Sequence, residues 1–449
     1  MRAALAAVPA LCALAGPAMG VDIDDPAARL ERHELANGLV VLLLEDHSTP
    51  VVSLQVWVRA GSRDEARYSG IAHLFEHMMF KGSKNLEPER HAQLVTDRGG
   101  AINAFTSDDV TVYFEDVTRE SLPLVIDLEA ERFANLHVDD AMLTSEREVV
   151  LEERGMRTEN DPGGLAFEAL AATAWMAHPY RRPVIGWRSD VEAVTVEKCQ
   201  EFFDAYYAAN NLVLVVAGDF DAKEALDRIR LRFGSLRRSE IERNPTREPE
   251  QRGERRVVVE FDVRSPILMA GWHAPATGHP DGAALDVASQ ILSDGRSSRL
   301  YRTLVDREAK ALYAYGGYWE LQDAGLFYAS AGVRPDAAIG DVEALFFGEI
   351  DRIREAGVSE AEVAKAKRQL EVGMIGGLRT AHALASRIGR DYVAFGRVRS
   401  IDERLAEIAA VAPADVQRVV ATYLVPEKRS VVHVVAPAAP PQSGAEAAR

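Results

Sequence analysis

His73-Leu74-Phe75-Glu76-His77 sets two imidazoles four residues apart, with a carboxylate directly before the second. The apolar flank of Ile71, Leu74, Phe75, Met78, Met79 and Phe80, and the lack of Gly or Pro between Ile71 and Lys81, predict a helix. Residues i and i+4 share a helix face, so both rings can reach one ion. Glu76 lies beside them but off the ligand axis, which suits a general base toward water better than a third ligand. Taken alone, the pattern fits two surface histidines and a solvated glutamate equally well.

A catalytic zinc centre needs a third protein ligand and one open position. The segment Ser145 to Arg154 is rich in helix formers and carries Glu146, Glu148, Glu152 and Glu153. Glu146 and Glu153 are separated by about two helical turns and share a face, whereas Glu148 and Glu152 project elsewhere. One of the aligned pair can bind the ion and the other can orient the ligand shell. The bland alternative is an acidic, solvated helix face.

With these residues in place, the chain resembles the pitrilysin/insulinase family of zinc metallopeptidases, whose signature is the inverted HxxEH motif. It resembles the short two-domain type, as in mitochondrial processing peptidase and bacterial periplasmic relatives. Further family-like stretches are Leu35-Ala36-Asn37-Gly38-Leu39-Val40, Gly70-Ile71-Ala72, Phe80-Lys81-Gly82-Ser83, Asn103-Ala104-Phe105-Thr106, His178-Pro179-Tyr180 and Val215 to Asp219. The resemblance implies one Zn2+ per chain held by His73, His77 and Glu153, with Glu76 as the catalytic base and Glu146 behind the ligands. It also implies that Asn103, Ala104 and Phe105 lie on a sheet edge that pairs with substrate backbone, a mode that tolerates many sequences. Family members add an arginine and a tyrosine from the C-terminal half. Here the similar segment offers Arg307, Tyr313 and Tyr315, but the spacing is out of register. Either a bulge restores it or a metal-free partner supplies the pair.

The elements around the motif read as a duplication. Val194 to Asp219 and Val411 to Pro437 each run from a capped amphipathic helix through an aromatic-rich end into a β-branched strand. The strand Val51–Arg59 has a counterpart in Ser265–His273, and Gly282–Leu292 corresponds to the motif helix but contains no histidine. The expected organisation is a signal peptide (1–20), a zinc-binding domain (21–237), a linker (238–256), a second domain without metal (257–436) and a disordered tail (437–449). The fold class is α+β. The resemblance implies two homologous α/β sandwich domains, each an antiparallel sheet with helices on one face, forming half of a closed chamber. A homodimer, or a heterodimer with a metal-free subunit, would complete it.

Composition agrees with a globular protein: 449 residues, 47% hydrophobic and 27% charged. The formal net charge of -17 argues against nucleic acid as a partner. Arg2, the apolar run Ala3–Ala15 and the small-x-small site at Ala18-Met19-Gly20 read as a secretory signal, too short to span a bilayer comfortably. That places the mature chain in the periplasm with no membrane span. Cleavage would leave Cys199 as the lone cysteine and no internal disulfide. The expected function is zinc-dependent endopeptidase action on peptides or unfolded polypeptides. The alternatives are a dedicated precursor-processing subunit and a non-enzymatic assembly subunit.

Overall fold

The computed structural model describes residues 25–438. The signal peptide expected at 1–20, and the expected tail from 439 onward, lie outside the described residues. The first sheet comprises β1 (Glu31–Glu34), β2 (Val40–Glu45), β3 (Val52–Val58), β4 (Ala101–Thr106), β5 (Thr111–Val117) and β6 (Leu212–Gly218). The second comprises β7 (Arg255–Glu260), β8 (Ile267–Ala274), β9 (Ala311–Trp319), β10 (Gly325–Val333) and β11 (Arg429–Val435). The chain enters the first sheet through a β1–β2 hairpin, where Leu35 N–H donates to Leu39 C=O and Gly38 takes a positive φ of 85° after Asn37.

The duplication is exact in topology. The sheets are ordered β1-β2-β6-β3-β5-β4 and β7-β11-β8-β10-β9, so β2, β6, β3, β5 and β4 correspond to β7, β11, β8, β10 and β9. Each sheet is mixed rather than antiparallel. β2–β6 and β7–β11 are parallel pairs, because in each half a late strand returns between two early ones. β4 and β9 are the equivalent edges.

Each sheet also has helices on both faces, a departure from the one-face expectation. On the first sheet, one face packs against the motif helix (Ile71–Met78) and the helices Leu122–Asn135, Asp140–Arg154, Val196–Tyr206 and Ala222–Phe233. The opposite face carries Val40, Leu42, Val112, Val213 and Val215, which would be wet if this half stood alone. It is covered by Leu384, Ala385, Ile388 and Tyr392 of helix Ala381–Phe395, from the C-terminal half. Gly389 sits in that contact because Trp57 fills the space; a Cβ there would lie 2.2 Å from the indole. The exchange is reciprocal. Helix Pro162–Ala174, from the N-terminal half, lays Ala166, Leu170 and Ala174 on the second sheet against Ile267, Met269, Val432 and Val434. Strands buried on both faces read as continuous apolar runs, which is how LVLVVAG appears at β6. Burying one Leu or Ile side chain stabilises by about 1.5–3 kcal/mol, so the halves hold each other together through their cores.

Candidate metal and catalytic site

The motif helix starts at Gly70, whose φ of 88° admits the turn out of the preceding loop. Gly70 abuts Gly186, and a Cβ on Gly70 would lie 2.7 Å from the Gly186 Cα. Arg154, at the end of the acidic helix Asp140–Arg154, donates to the Gly186 carbonyl at 2.7 Å and to Glu168 at 2.8 Å, fixing that loop. The buried Glu65 carboxylate accepts from the N–H groups of Gly70 at 3.0 Å and Ala72 at 2.9 Å. It thus satisfies two of the orphan N–H groups at the start of the motif helix.

His73 and His77 face the acidic helix as their i, i+4 spacing requires, with ring centroids 4.9 Å apart. Glu153 Oε2 lies 3.7 Å from His73 Nε2 and 3.5 Å from His77 Nε2. Tetrahedral N and O ligands about 2.1 Å from an ion stand roughly 3.4 Å apart, so this donor set fits zinc. Burial and the neighbouring His77 push the His73 ring down to about 4, leaving it neutral with a lone pair to give. For His77, burial is outweighed by the contacts with Glu146 and Glu153, which carry it up to about 9. A bound ion therefore displaces a proton there.

Glu146 and Glu153 split the two tasks left open by their spacing. Glu146 Oε2 is 3.3 Å from His77 Nδ1, and its other oxygen is 3.0 Å from Lys81 Nζ. Glu153 reaches both Nε2 atoms, and its second oxygen is 2.7 Å from Arg157. Glu148 and Glu152 join neither set. Glu76 stands beside the ligands and accepts from Thr106 Oγ1 at 2.6 Å. Burial raises its pKa, against the Thr106 hydrogen bond, which lowers it. A raised carboxyl is better matched to taking and returning a proton.

β4 is an edge strand next to this centre, but alternation divides its residues. Ile102 and Ala104 pack toward the core under the motif helix, and Thr106 meets Glu76 on the same side. Asn103 and Phe105 are exposed on the other face, where Phe105 meets Trp57 edge-on at 6.2 Å. The structure thus brings the edge, but not the Asn103 amide, to the ligands; that amide accepts from Ala104 N–H at 2.9 Å.

The C-terminal trio is not assembled. Tyr313 and Tyr315 lie together on the β9 edge, with rings 5.7 Å apart. Arg307 turns instead to Glu308 at 3.0 Å and Glu349 at 3.6 Å. The register irregularity of β9 beside Tyr313 does not return it to the tyrosines. Next to His73 and Glu153 a cavity of about 340 Å³ opens between the halves, lined by Thr106, Tyr180, Phe167 and Trp319 among others. A polar network at Tyr180 braces its wall. Tyr180 OH donates to Asp109 at 2.7 Å, and Arg63 lies 3.0 Å from Asp109 and 3.3 Å from Asp323.

Several of these residues were not singled out from the sequence. Lys81 and Arg157 each follow a site residue by one helical turn, a signal that i, i+4 pairing contains. Glu65, Arg63 and Asp109 act through loops, and no periodicity reveals them.

The geometry is that of a metallopeptidase-type centre, and the comparisons agree. The model of the insulinase family, peptidase family M16, matches residues 40–187, and that of the M16 inactive domain matches 193–370. The chain therefore belongs to the M16 family. It is 31% identical over 403 residues to the zinc protease PqqE of Helicobacter pylori, covering 88% of this chain and 90% of that one. An uncharacterized zinc protease of Streptomyces coelicolor is 30% identical over 91% of this chain and 90% of its own length. The crystal structure of a protease from Helicobacter pylori superposes with a TM-score of 0.87 at 30% identity, over 91% of this chain and 99% of that one.

Proposed function

We propose that this chain is a zinc-dependent endopeptidase that cleaves peptides or unfolded polypeptides. One observation carries the reading: two imidazoles and a carboxylate converge at ligand spacing, with a half-buried glutamate beside them and a cavity opening at His73 and Glu153. His73, His77 and Glu153 would hold one zinc ion, which when bound activates water and polarises the scissile carbonyl. Glu76 takes the proton from the attacking water and delivers it to the leaving amine. Thr106 keeps the Glu76 carboxylate aimed at that water. The open β4 edge pairs with substrate backbone, while the cavity beside His73 receives an apolar side chain against Phe167 and Trp319.

The dispersed Arg307, Tyr313 and Tyr315 support a second chain as the source of the remaining oxyanion donor. We read the working form as a dimer enclosing the substrate, either of two copies or with a metal-free family subunit. The secretory signal read from the sequence at 1–20 supports a periplasmic location, and among the described residues no helix is long and apolar enough to cross a membrane.

The test is cleavage of a quenched pool of unstructured peptides by the full mature chain with zinc. Glu76→Gln should retain zinc and lose at least about a hundredfold in turnover, whereas His77→Ala should lose the ion as well. Equal activity in wild type and Glu76→Gln would end the assignment of Glu76. Inactivity of zinc-loaded wild type alone, restored by a metal-free family subunit, would select the heterodimer. Inactivity in both settings would favour the assembly role.

A further inference from the structure

Against β5, on the same face of the first sheet as the motif helix, a second group of metal-ligating side chains is sealed in the N-terminal half. His91 comes from helix Arg90–Thr96, Glu115 from β5 and Glu129 from helix Leu122–Asn135. Their exposures are 4%, 0% and 0%. Charged groups this deep are expensive unless each is paired and hydrogen-bonded.

The pairing is incomplete. Arg132, also buried, grips both oxygens of Glu129 and lies over the Tyr113 ring at 4.5 Å. That neutralises one carboxylate. Glu115 is left with Arg132 at 3.6 Å and His91 at 3.2 Å, and neither of its oxygens meets a donor in bonding geometry. Both ring nitrogens of His91 are likewise without a hydrogen-bond partner.

What remains is an imidazole and two carboxyl groups whose ligand atoms converge. His91 Nε2 lies 3.2 Å from Glu115 Oε1 and 3.7 Å from Glu129 Oε1, and one donor atom from each residue falls within 4.8 Å of the others. These separations bracket the roughly 3.4 Å expected between tetrahedral ligands of a first-row divalent ion. The donor set of one nitrogen and two oxygens suits zinc or manganese.

We propose that His91, Glu115 and Glu129 form a second, structural divalent-cation site, with Arg132 bonded to Glu129 and beside Glu115. The ion supplies the positive charge that Glu115 lacks and satisfies the exposed lone pair of His91. It ties together the helix that leads into β4, the strand paired with β4, and the helix beneath them. Its role is therefore to hold the edge strand in register. The site is closed to solvent, so the ion exchanges slowly. This inference does not depend on the first centre hydrolysing peptides.

The experiment is elemental analysis of the purified full chain after exhaustive dialysis against a weak chelator. Wild type should retain two divalent ions per chain, His77→Ala one, and His91→Gln one. His77→Ala is the decisive variant, because its remaining ion can only be the buried one. Stripped His77→Ala, titrated with zinc chloride or manganese chloride, should show a rise of several degrees in melting temperature that His91→Gln/His77→Ala lacks. If His91→Gln fails to fold, Glu115→Gln in the His77→Ala background serves the same comparison. A His77→Ala chain that holds no ion after dialysis and shows no metal-dependent rise would overturn the proposal. The charge of Glu115 would then be met by a proton shared with Glu129.

Discussion

Glu146→Gln isolates the contact that orients His77. Glu146 is 4% exposed, with one oxygen 3.3 Å from His77 Nδ1 and the other 3.0 Å from Lys81 Nζ. The amide preserves volume and one acceptor oxygen but removes the charge that favours the required tautomer and raises ligand basicity. Loss of such a partner typically weakens metal binding about 10–100-fold, or about 1.4–2.7 kcal/mol. Glu146→Ala, which also leaves a buried Nδ1–H without an acceptor, should sit at or beyond the upper end. Lys81→Met should cost less than about tenfold, because Lys81 reaches the ligands only through Glu146. The assay restores peptide cleavage to stripped protein with chelator-buffered zinc and reads the free concentration at half-restoration, with circular dichroism as the folding control. A folded Glu146→Gln chain with unchanged half-restoration would refute the orienting role. A larger effect from Lys81→Met than from Glu146→Gln would refute the chain of contacts that assigns it.

Three further substitutions test the hydrogen bond at Glu76, the exchanged helix and the buried Asp108. Thr106→Val removes the hydrogen bond to Glu76 while keeping the shape of the β4 edge; kcat should fall by about tenfold or more, as expected for a bond to a charged group, with zinc content and KM held. A fall in KM alone would contradict this. Ile388→Ala, at a side chain 2% exposed between helix Ala381–Phe395 and the first sheet, should lower stability to urea by about 2–5 kcal/mol; an unchanged midpoint would show that the exchanged helix is not holding the N-terminal core. Burial raises Asp108, beside the cavity, to about 7. The folded state therefore keeps a proton that the unfolded chain releases near pH 4, so its contribution is present at low pH and lost as pH rises toward 7. Relative to wild type, Asp108→Asn should gain about 3 kcal/mol of stability between pH 4 and pH 7, read as paired urea melts; a constant difference across that range would dismiss the buried proton.

Much of the centre was legible because it is written on helices. The i, i+4 spacing of His73 and His77, and the two-turn spacing of Glu146 and Glu153, convert directly into shared faces. The duplication was legible because the helix-to-strand unit repeats with its apolar pattern intact, down to β6 and β11. The hidden parts have physical reasons. A parallel pair such as β2–β6 joins residues far apart in sequence, and period-two patterning does not distinguish it from an antiparallel pair. The helix exchange was invisible because the apolar face of Pro162–Ala174 says that it must be buried, not beneath which sheet. Phe105 and Asn103 were read with Thr106 as one edge, although strand alternation sends them to opposite faces. His91, Glu115 and Glu129 come from three separate elements, and only the tertiary fold collects them.

The central claim is that His73, His77 and Glu153 hold a catalytic zinc ion beside Glu76. The most direct measurement is an anomalous difference map at the zinc edge, from crystals of the full mature Glu76→Gln chain grown with zinc and an uncleaved peptide. The account predicts a peak within ligand distance of His73 Nε2, His77 Nε2 and Glu153 Oε2, with the peptide paired along β4 and its scissile carbonyl at the peak. A zinc peak elsewhere with this position empty, or a peptide bound away from β4, would contradict it.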